Sequence, residues 1–389
     1  MKVLVIHTNY KTRGGEDSVV FNEMKLLTSN GVSVELLSFT NETGAVLKFV
    51  QLPFNIDSYR KTRRKVRNFR PDIVHIHNLH FAGSASIISA LKKEKVPFVL
   101  TLHNYRLLCP SATLFKNGKI FLNSVESSFP WSAVFDGVYK NSRFLTLWLG
   151  ISMFLHQAVG TWKSCRRFIV LSEHSKELIM NSKLKKIGNR IVIKPNFCYD
   201  PSLAISGLNN YFLYVGRLSE EKGILLLLNA FSACGLPLKI VGGGPLKHIV
   251  TDYSSRFKNI EFLESVPKHE VFDLLRNCSA LVCPSVGYET FGMVVIEAFS
   301  AGKPVIASRL GAMENLVTDQ YNGMFFAPGS EDDLKLKIMC WQSLKEEVKD
   351  EYRKNARLTY ERYYTPEKNA SQLLAIYQSV LKEEGVKRV

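Results

Sequence analysis

Short apolar runs separated by polar, helix-periodic stretches recur along the whole chain. In the first half they read KVLVIH, SVELLSF, DIVHIH, FVLTLH and RFIVLS, and in the second YFLYVG, LKIVGG, NIEFLE, ALVCPS and PVIASR. Runs this short, bounded by turn formers and alternating with helical patterns, predict parallel sheets covered by helices. The alternation lapses across PNFCYDPSLAISGLNN, residues 195–210, where turn formers gather. A chain of 389 residues, 46% hydrophobic and without a low-complexity tract, also exceeds what one core organises. The pattern therefore predicts an α/β protein of two Rossmann-like domains, residues 1–200 and 201–365. Ligands of such sheets bind beyond the carboxyl ends of the strands, where Gly14, His77, His103, Arg217, Gly243 and Glu289 are expected.

The densest candidate chemistry is ETFGMVVIE, from Glu289 to Glu297, which follows the strand-like ALVCPS. Gly292 is expected near the first turn of a helix, where free N–H groups and the positive end of the dipole attract an anion. Glu289 then sits at the mouth and Glu297 deeper along the helix. Ionised carboxylates only accept hydrogen bonds, which suits sugar and ribose hydroxyls. The plainer alternative makes Glu289 a cap and Glu297 part of a solvated face. The apolar surroundings of Glu297 oppose it, because a packed carboxylate needs partners. Upstream, YFLYVGRLSEEKG brings Arg217 and Lys222 into one turn after Gly216, and LKIVGGGPLK supplies Gly242, Gly243 and Gly244 for close backbone approach. The two cations suit a diphosphate, held without a metal; the competing reading is a solvated loop in which they pair with Glu220 and Glu221.

Taken together, a strand-end Gly-Arg, a lysine five residues later, a Gly-Gly-Gly-Pro turn and Glu-x7-Glu resemble glycosyltransferase family four, the retaining, nucleotide-sugar-dependent enzymes of the GT-B fold. The match extends to Gly14 and Gly15 in TRGGEDSVVF and to HIHNLHF and TLHNYR. The resemblance implies two Rossmann-like domains facing an interdomain cleft: an N-terminal acceptor domain and a C-terminal donor domain, with a last helix, residues 366–389, crossing back to the first. It implies transfer of a sugar from a UDP- or GDP-type donor to an acceptor hydroxyl with retained anomeric configuration. Arg217 and Lys222 would stabilise the leaving diphosphate and Glu289 the sugar hydroxyls. Glu297 would hold the ribose, and Phe291, Gly292, Met293 and Val294 would line the donor. His103 matches a position near the transferred sugar, and His77, Asn78 and Asn104 fall on strand ends that line the acceptor side. No cofactor or metal is expected, and no Asp-x-Asp occurs. One departure is Glu264 in EFLESV, where the family usually has glycine beside the base; it leaves base preference open.

Charge changes the picture of the first half. Residues 1–200 carry 29 Lys and Arg against 13 Asp and Glu, and residues 201–389 carry 22 of each, so the net +16 belongs to the first half. YRKTRRKVRNFR holds seven of those cations and no acid. FLTLWLGISMFLHQAVGTW, residues 144–162, has no charge. Its wheel sets Phe144, Leu147, Trp148, Ile151, Leu155, Ala158 and Trp162 opposite Thr146, Gly150, His156, Gln157, Gly160 and Thr161, which favours an interfacial or internally packed helix over a span. The expected partners are thus a nucleotide-sugar donor, a glycan or lipid-linked acceptor and an anionic membrane surface, met from the cytoplasmic side. Nucleic acid is not expected, because the cations lack interleaved aromatics. An NAD-dependent oxidoreductase fails on G-x-G-x-x-G, which needs glycine at Lys247. A nucleotide-sugar 2-epimerase of the same fold stays open. MKVLVIH reads as a first strand, not a secretion signal, and seven cysteines without a C-x-x-C pair indicate reduced thiols.

Overall fold

A computed structural model describes residues 1–9, 15–40, 49–79, 81–200 and 210–385. It divides into two units, Met1–Thr113 with Leu122–Asn196 and Pro366–Val389, and Leu114–Phe121 with Phe197–Thr365. In the first half the strands are β1 (Lys2–Asn9), β2 (Ser33–Thr40), β3 (Ile73–Ile76), β4 (Phe98–Thr101), a short pair β5 (Phe115–Lys116) and β6 (Lys119–Ile120), β7 (Arg167–Val170) and β8 (Ile191–Ile193). The first unit's sheet runs β2-β1-β3-β4-β7-β8, all parallel. Its order reverses between β1 and β3, so a crevice opens at their carboxyl ends. The last helix, Pro366–Glu383, belongs to this unit and buries Leu373, Ile376, Tyr377 and Val380 against Val3, Val5, Val20 and Leu27.

The second unit adds β9 (Phe212–Val215), β10 (Leu238–Val241), β11 (Ile260–Phe262), β12 (Ala280–Cys283), β13 (Val305–Ser308) and β14 (Gly323–Phe326), in the parallel order β11-β10-β9-β12-β13-β14. This is the dinucleotide-fold order, reversing between β9 and β12. Phe212, Leu227, Phe231, Ile240, Val282 and Trp341 centre its core. Two details depart from the boundaries expected from sequence. The antiparallel hairpin β5–β6 joins the second unit, where an added Cβ at Gly287 meets the Phe115 ring at 3.2 Å and one at Gly118 meets Glu220 Oε1 at 3.2 Å. The division falls at Asn196 and Phe197, because the Cys198 carbonyl accepts from the Tyr360 hydroxyl at 3.0 Å and Arg357 holds Asp200 at 3.1 Å.

The helix Arg143–Ala158 corrects the wheel argument. Its buried residues are Thr146, Leu149, Gly150 and Ser152, so Thr146 and Gly150 of the wheel's more polar side pack inward. Small residues win that face because the contact is close: a Cβ on Gly150 lies 3.1 Å from Pro130 Cγ. Thr146 loses its polarity to the backbone, donating to the Ser142 carbonyl at 2.7 Å and accepting from the Tyr139 N–H at 3.1 Å. Phe144, Leu155 and Val159 are left exposed, as are Trp131 and Phe135. Among the described residues no helix is long and apolar enough to cross a membrane.

Candidate active site

At the reversal point of the second sheet, the turn after β9 rests on the turn after β12. Gly223 has φ +68° and faces the Pro284 carbonyl, whose oxygen an added Cβ would approach to 1.9 Å. Gly242, at φ +145°, stands equally close to Gly216, with 1.8 Å between an added Cβ and the Gly216 carbonyl oxygen. Neither position admits a side chain, and neither backbone conformation suits one. This tight stacking aims Lys222 at Glu289, and their charged atoms lie 2.8 Å apart. The competing sequence reading, pairing with Glu220 and Glu221, is not what this turn does. Glu221 accepts from the Ser219 hydroxyl at 2.7 Å, and its carbonyl takes the N–H groups of Val286 and Gly287.

Burial works against the charge on Lys222, but the Glu289 carboxylate outweighs it and holds the ammonium above its usual range. Ser285 also donates to Glu289. Arg217 is exposed at the same strand end, its carbonyl accepting from the buried Tyr214 hydroxyl at 2.7 Å. Gly243 and Gly244 are exposed in the neighbouring turn. Gly292 precedes the helix Met293–Ser300, whose first turn has no side-chain cap. Phe291 is buried against the Tyr364 ring, whereas Met293 and Val294 are half-buried. Glu297 is buried and does have the partner its surroundings demand, Lys268 at 2.9 Å. Glu264 takes φ +53° while its carbonyl accepts from Gly242 at 2.7 Å. The left-handed backbone fits the family's glycine here; the carbonyl holds the turn, and the Glu264 carboxylate pairs with Lys247 at 2.7 Å.

In the first unit a cavity of about 120 Å³ is lined by His77, Asn78, His103, Asn104 and Arg106 on one side and by Leu149, Met153 and Trp162 on another. Asn78 is buried and ties the ends of β1 and β3 together, donating to the Thr8 carbonyl at 3.2 Å. Asn104 accepts from the Arg106 N–H at 3.1 Å. Gly15 opens the helix Gly15–Ser29, with nothing within 4 Å of an added Cβ; Gly14 lies outside the described residues.

His77 and His103, both named from the sequence, join a buried polar cluster whose other members, Glu23, His75 and Lys194, the sequence reading missed. His77 Nδ1 lies 3.0 Å from His103 Nε2, and its Nε2 lies 3.1 Å from Glu23 Oε1. Glu23 Oε1 is also 3.0 Å from His75 Nδ1, and Oε2 takes the Lys194 ammonium at 3.1 Å. His75 is fixed by the Tyr377 hydroxyl at 2.6 Å and Thr101 at 2.7 Å. Burial pushes His77 down to about 3 and His103 well below the usual histidine range, so both rings are neutral. Burial works to protonate Glu23, but opposing charge, the Lys194 ammonium foremost, more than reverses this and holds the carboxyl well below its usual range. Glu23, His75 and His77 have donor atoms close enough for a metal. The hint in the sequence was the alternation of HIHN, which sends His75 and His77 to the same face of β3.

Two family models match consecutive parts of the chain, Glycosyltransferase Family 4 over residues 13–197 and Glycosyl transferases group 1 over residues 199–359. The chain is a family-four glycosyltransferase. It is 27% identical over 355 residues to an uncharacterized glycosyltransferase of Methanocaldococcus jannaschii, covering 87% of this chain and 88% of the other. Over 182 residues it is 26% identical to the O-antigen chain mannosyltransferase C of Escherichia coli, covering 46% of this chain and 48% of that one. The Anabaena HepE structure in complex with UDP-glucose superimposes with a TM-score of 0.68 at 16% identity, covering 97% of this glycosyltransferase and all (100%) of that chain. That likeness establishes the GT-B fold, and the family establishes a transferase.

Proposed function

We propose that this glycosyltransferase moves a hexose from a UDP- or GDP-sugar to an acceptor hydroxyl with retention of configuration, without a metal. The second unit takes the donor. The observation that carries the reading is the Lys222–Glu289 pair, set by backbone stacking at the sheet's reversal point. An ammonium kept charged beside Arg217 and an uncapped helix N-terminus is suited to the negative charge that grows on a departing diphosphate. Glu289 then orients sugar hydroxyls and Glu297 the ribose, Lys268 giving way to it as the nucleotide enters. The first unit presents the acceptor in the cavity beside His103.

The acceptor we favour is a lipid-linked glycan of bacterial surface polysaccharide, for which the O-antigen relative and the cavity's apolar wall speak. Attachment to an anionic cytoplasmic leaflet fits that acceptor. Arg63 and Arg67 are both engaged with Glu94, so they contribute less than their number suggests. The exposed Phe144, Val159, Trp131 and Phe135 offer an apolar contact in their place, with Arg60 and Arg64 exposed in the same unit. The deciding experiment is calorimetric titration with UDP, GDP, ADP and their sugars, followed by NMR of the glycoside formed. Binding of a nucleoside diphosphate without added metal and an α-linked product from an α-linked donor support the reading. Absence of binding by all of them, or an inverted product, overturns it.

A further inference from the structure

We propose that the second unit holds a separate groove for a neutral oligosaccharide, walled by the β5–β6 hairpin and the helix Ile224–Cys234. The groove goes beyond the transfer reading and uses none of the side chains assigned there. It encloses about 550 Å³, a size usual for ligand sites, and all its lining residues belong to the second unit. The hairpin is shaped for this position. Asn117 and Gly118 take φ 49° and 73°, the left-handed pair of a tight two-residue turn, and the Phe115 ring packs on Gly287. Gly118, Gly223 and Gly329 line the groove with bare backbone, which lets a ligand approach closely. Val286, also in the lining, donates its N–H to the Glu221 carbonyl at 3.0 Å, so the groove adjoins the turn that bears Lys222.

The chemistry of the lining selects the ligand. Ile120, Leu225, Leu226 and Pro328 supply apolar surface for the C–H faces of sugar rings, and Leu225 is 42% exposed to receive them. The charged side chains are Lys119, Glu220 and Glu331, one cation and two carboxylates, a net charge of −1. Phosphate and sulfate groups are repelled by that balance. Asn229 is already oriented, accepting from the Tyr253 hydroxyl at 2.8 Å and donating to Glu331 Oε2 at 3.0 Å. Lys119 and Glu220 are both exposed, and among the described residues neither is held in an ion pair. An ammonium that only donates and carboxylates that only accept are satisfied together by hydroxyl groups, which do both. An uncharged ligand rich in hydroxyls is, for a glycosyltransferase, a glycan.

The test is saturation-transfer NMR of the full chain with neutral oligosaccharides of glucose, mannose, galactose and rhamnose, and with sulfated oligosaccharides as the anionic control. We expect at least one neutral oligosaccharide to bind, the sulfated ones to fail, and saturating UDP or GDP to leave the binding unchanged. Leu225→Arg fills the groove and Glu331→Ala removes an acceptor, both at exposed helix positions. Each should weaken the binding about tenfold, the scale of one lost apolar contact or one charge-assisted hydrogen bond, with nucleotide affinity unmoved. Binding of none of the neutral oligosaccharides overturns the proposal, as does equal or tighter binding of the sulfated ones. Displacement by UDP or GDP, or unchanged affinity in both variants, overturns it as well. If the groove binds as described while no sugar is transferred from any donor, it is the proposed reaction that fails.

Discussion

Replacing Lys222 with methionine separates an ordinary ion pair from a diphosphate site. The stem is kept, so the 2.8 Å contact to Glu289 is lost without opening a large void. In the free protein the pair is partly exposed, and such pairs contribute about 0.2–1 kcal/mol. The urea midpoint should shift only slightly. With nucleotide bound the same ammonium meets a diphosphate in a charge-assisted hydrogen bond, worth about 1.5–3 kcal/mol. At about 1.4 kcal/mol per factor of ten, affinity for UDP or GDP should fall roughly 10- to 150-fold. Titration calorimetry at fixed ionic strength measures it, with Glu289→Gln as the companion. That variant should lower turnover far more than nucleotide affinity, because Glu289 is assigned to the sugar. The raised Lys222 value implies that its contribution is fully present below the ordinary lysine range and lost only as pH rises through the folded value, so the effect should be constant from pH 6 to 9. Lys222→Met binding the nucleoside diphosphate as well as wild type would remove Lys222 from the site.

Three further outcomes are expected. Gly223→Ala combines a left-handed backbone, costing about 1–2 kcal/mol, with overlap on the Pro284 carbonyl, costing about 1–3 more, and urea unfolding should show their sum; an undisturbed midpoint would mean the turns are not stacked. The folded His77 value near 3 against an ordinary 6.5, with His103 shifted the same way, means that the unfolded rings gain protons the folded ones refuse, so stability should fall as pH drops through that window, by up to about 1.4 kcal/mol per pH unit for each ring. Glu23, depressed from 4.5, adds its loss only below that value, and a pH-independent urea midpoint between pH 6.5 and 5 would contradict the burial of His77. Phe144→Ser with Val159→Ser should abolish flotation with anionic vesicles, whereas Arg63→Glu alone should change it little; unchanged flotation of the double variant excludes this face as the contact.

The alternation of strands and helices was readable because parallel strands are buried on both faces and stand out as continuous apolar runs. Gly216, Arg217, Lys222 and Glu289 could be grouped as candidates for a related reason: each lies within several residues of the end of β9 or β12, which the sheet order sets side by side. The pairing of Lys222 with Glu289 in preference to Glu220 or Glu221 was not, since it depends on Gly223 lying on Pro284, a contact across some sixty residues. Glu23 gave no local signal. It is one acid on an amphipathic helix, and only the fold brings His75, His77, Lys194 and Tyr377 around it. The helix Arg143–Ala158 misled the wheel because close packing selects small residues, which hydropathy counts as polar or neutral.

The seating of the last helix has a consequence for biosynthesis. Leu373, Ile376, Tyr377 and Val380 complete a core whose other walls are Val3, Val5, Val20 and Leu27, so segments made early in translation wait for one made much later. Until then the nascent first sheet carries an uncovered greasy seam, and His75 lacks the tyrosine hydroxyl that anchors it. The second sheet, made in between, has its strands in one continuous stretch and needs no such delay. A chain ending before Pro366 and released from the ribosome should therefore display a protease-resistant rear half attached to a front half that chaperones still hold.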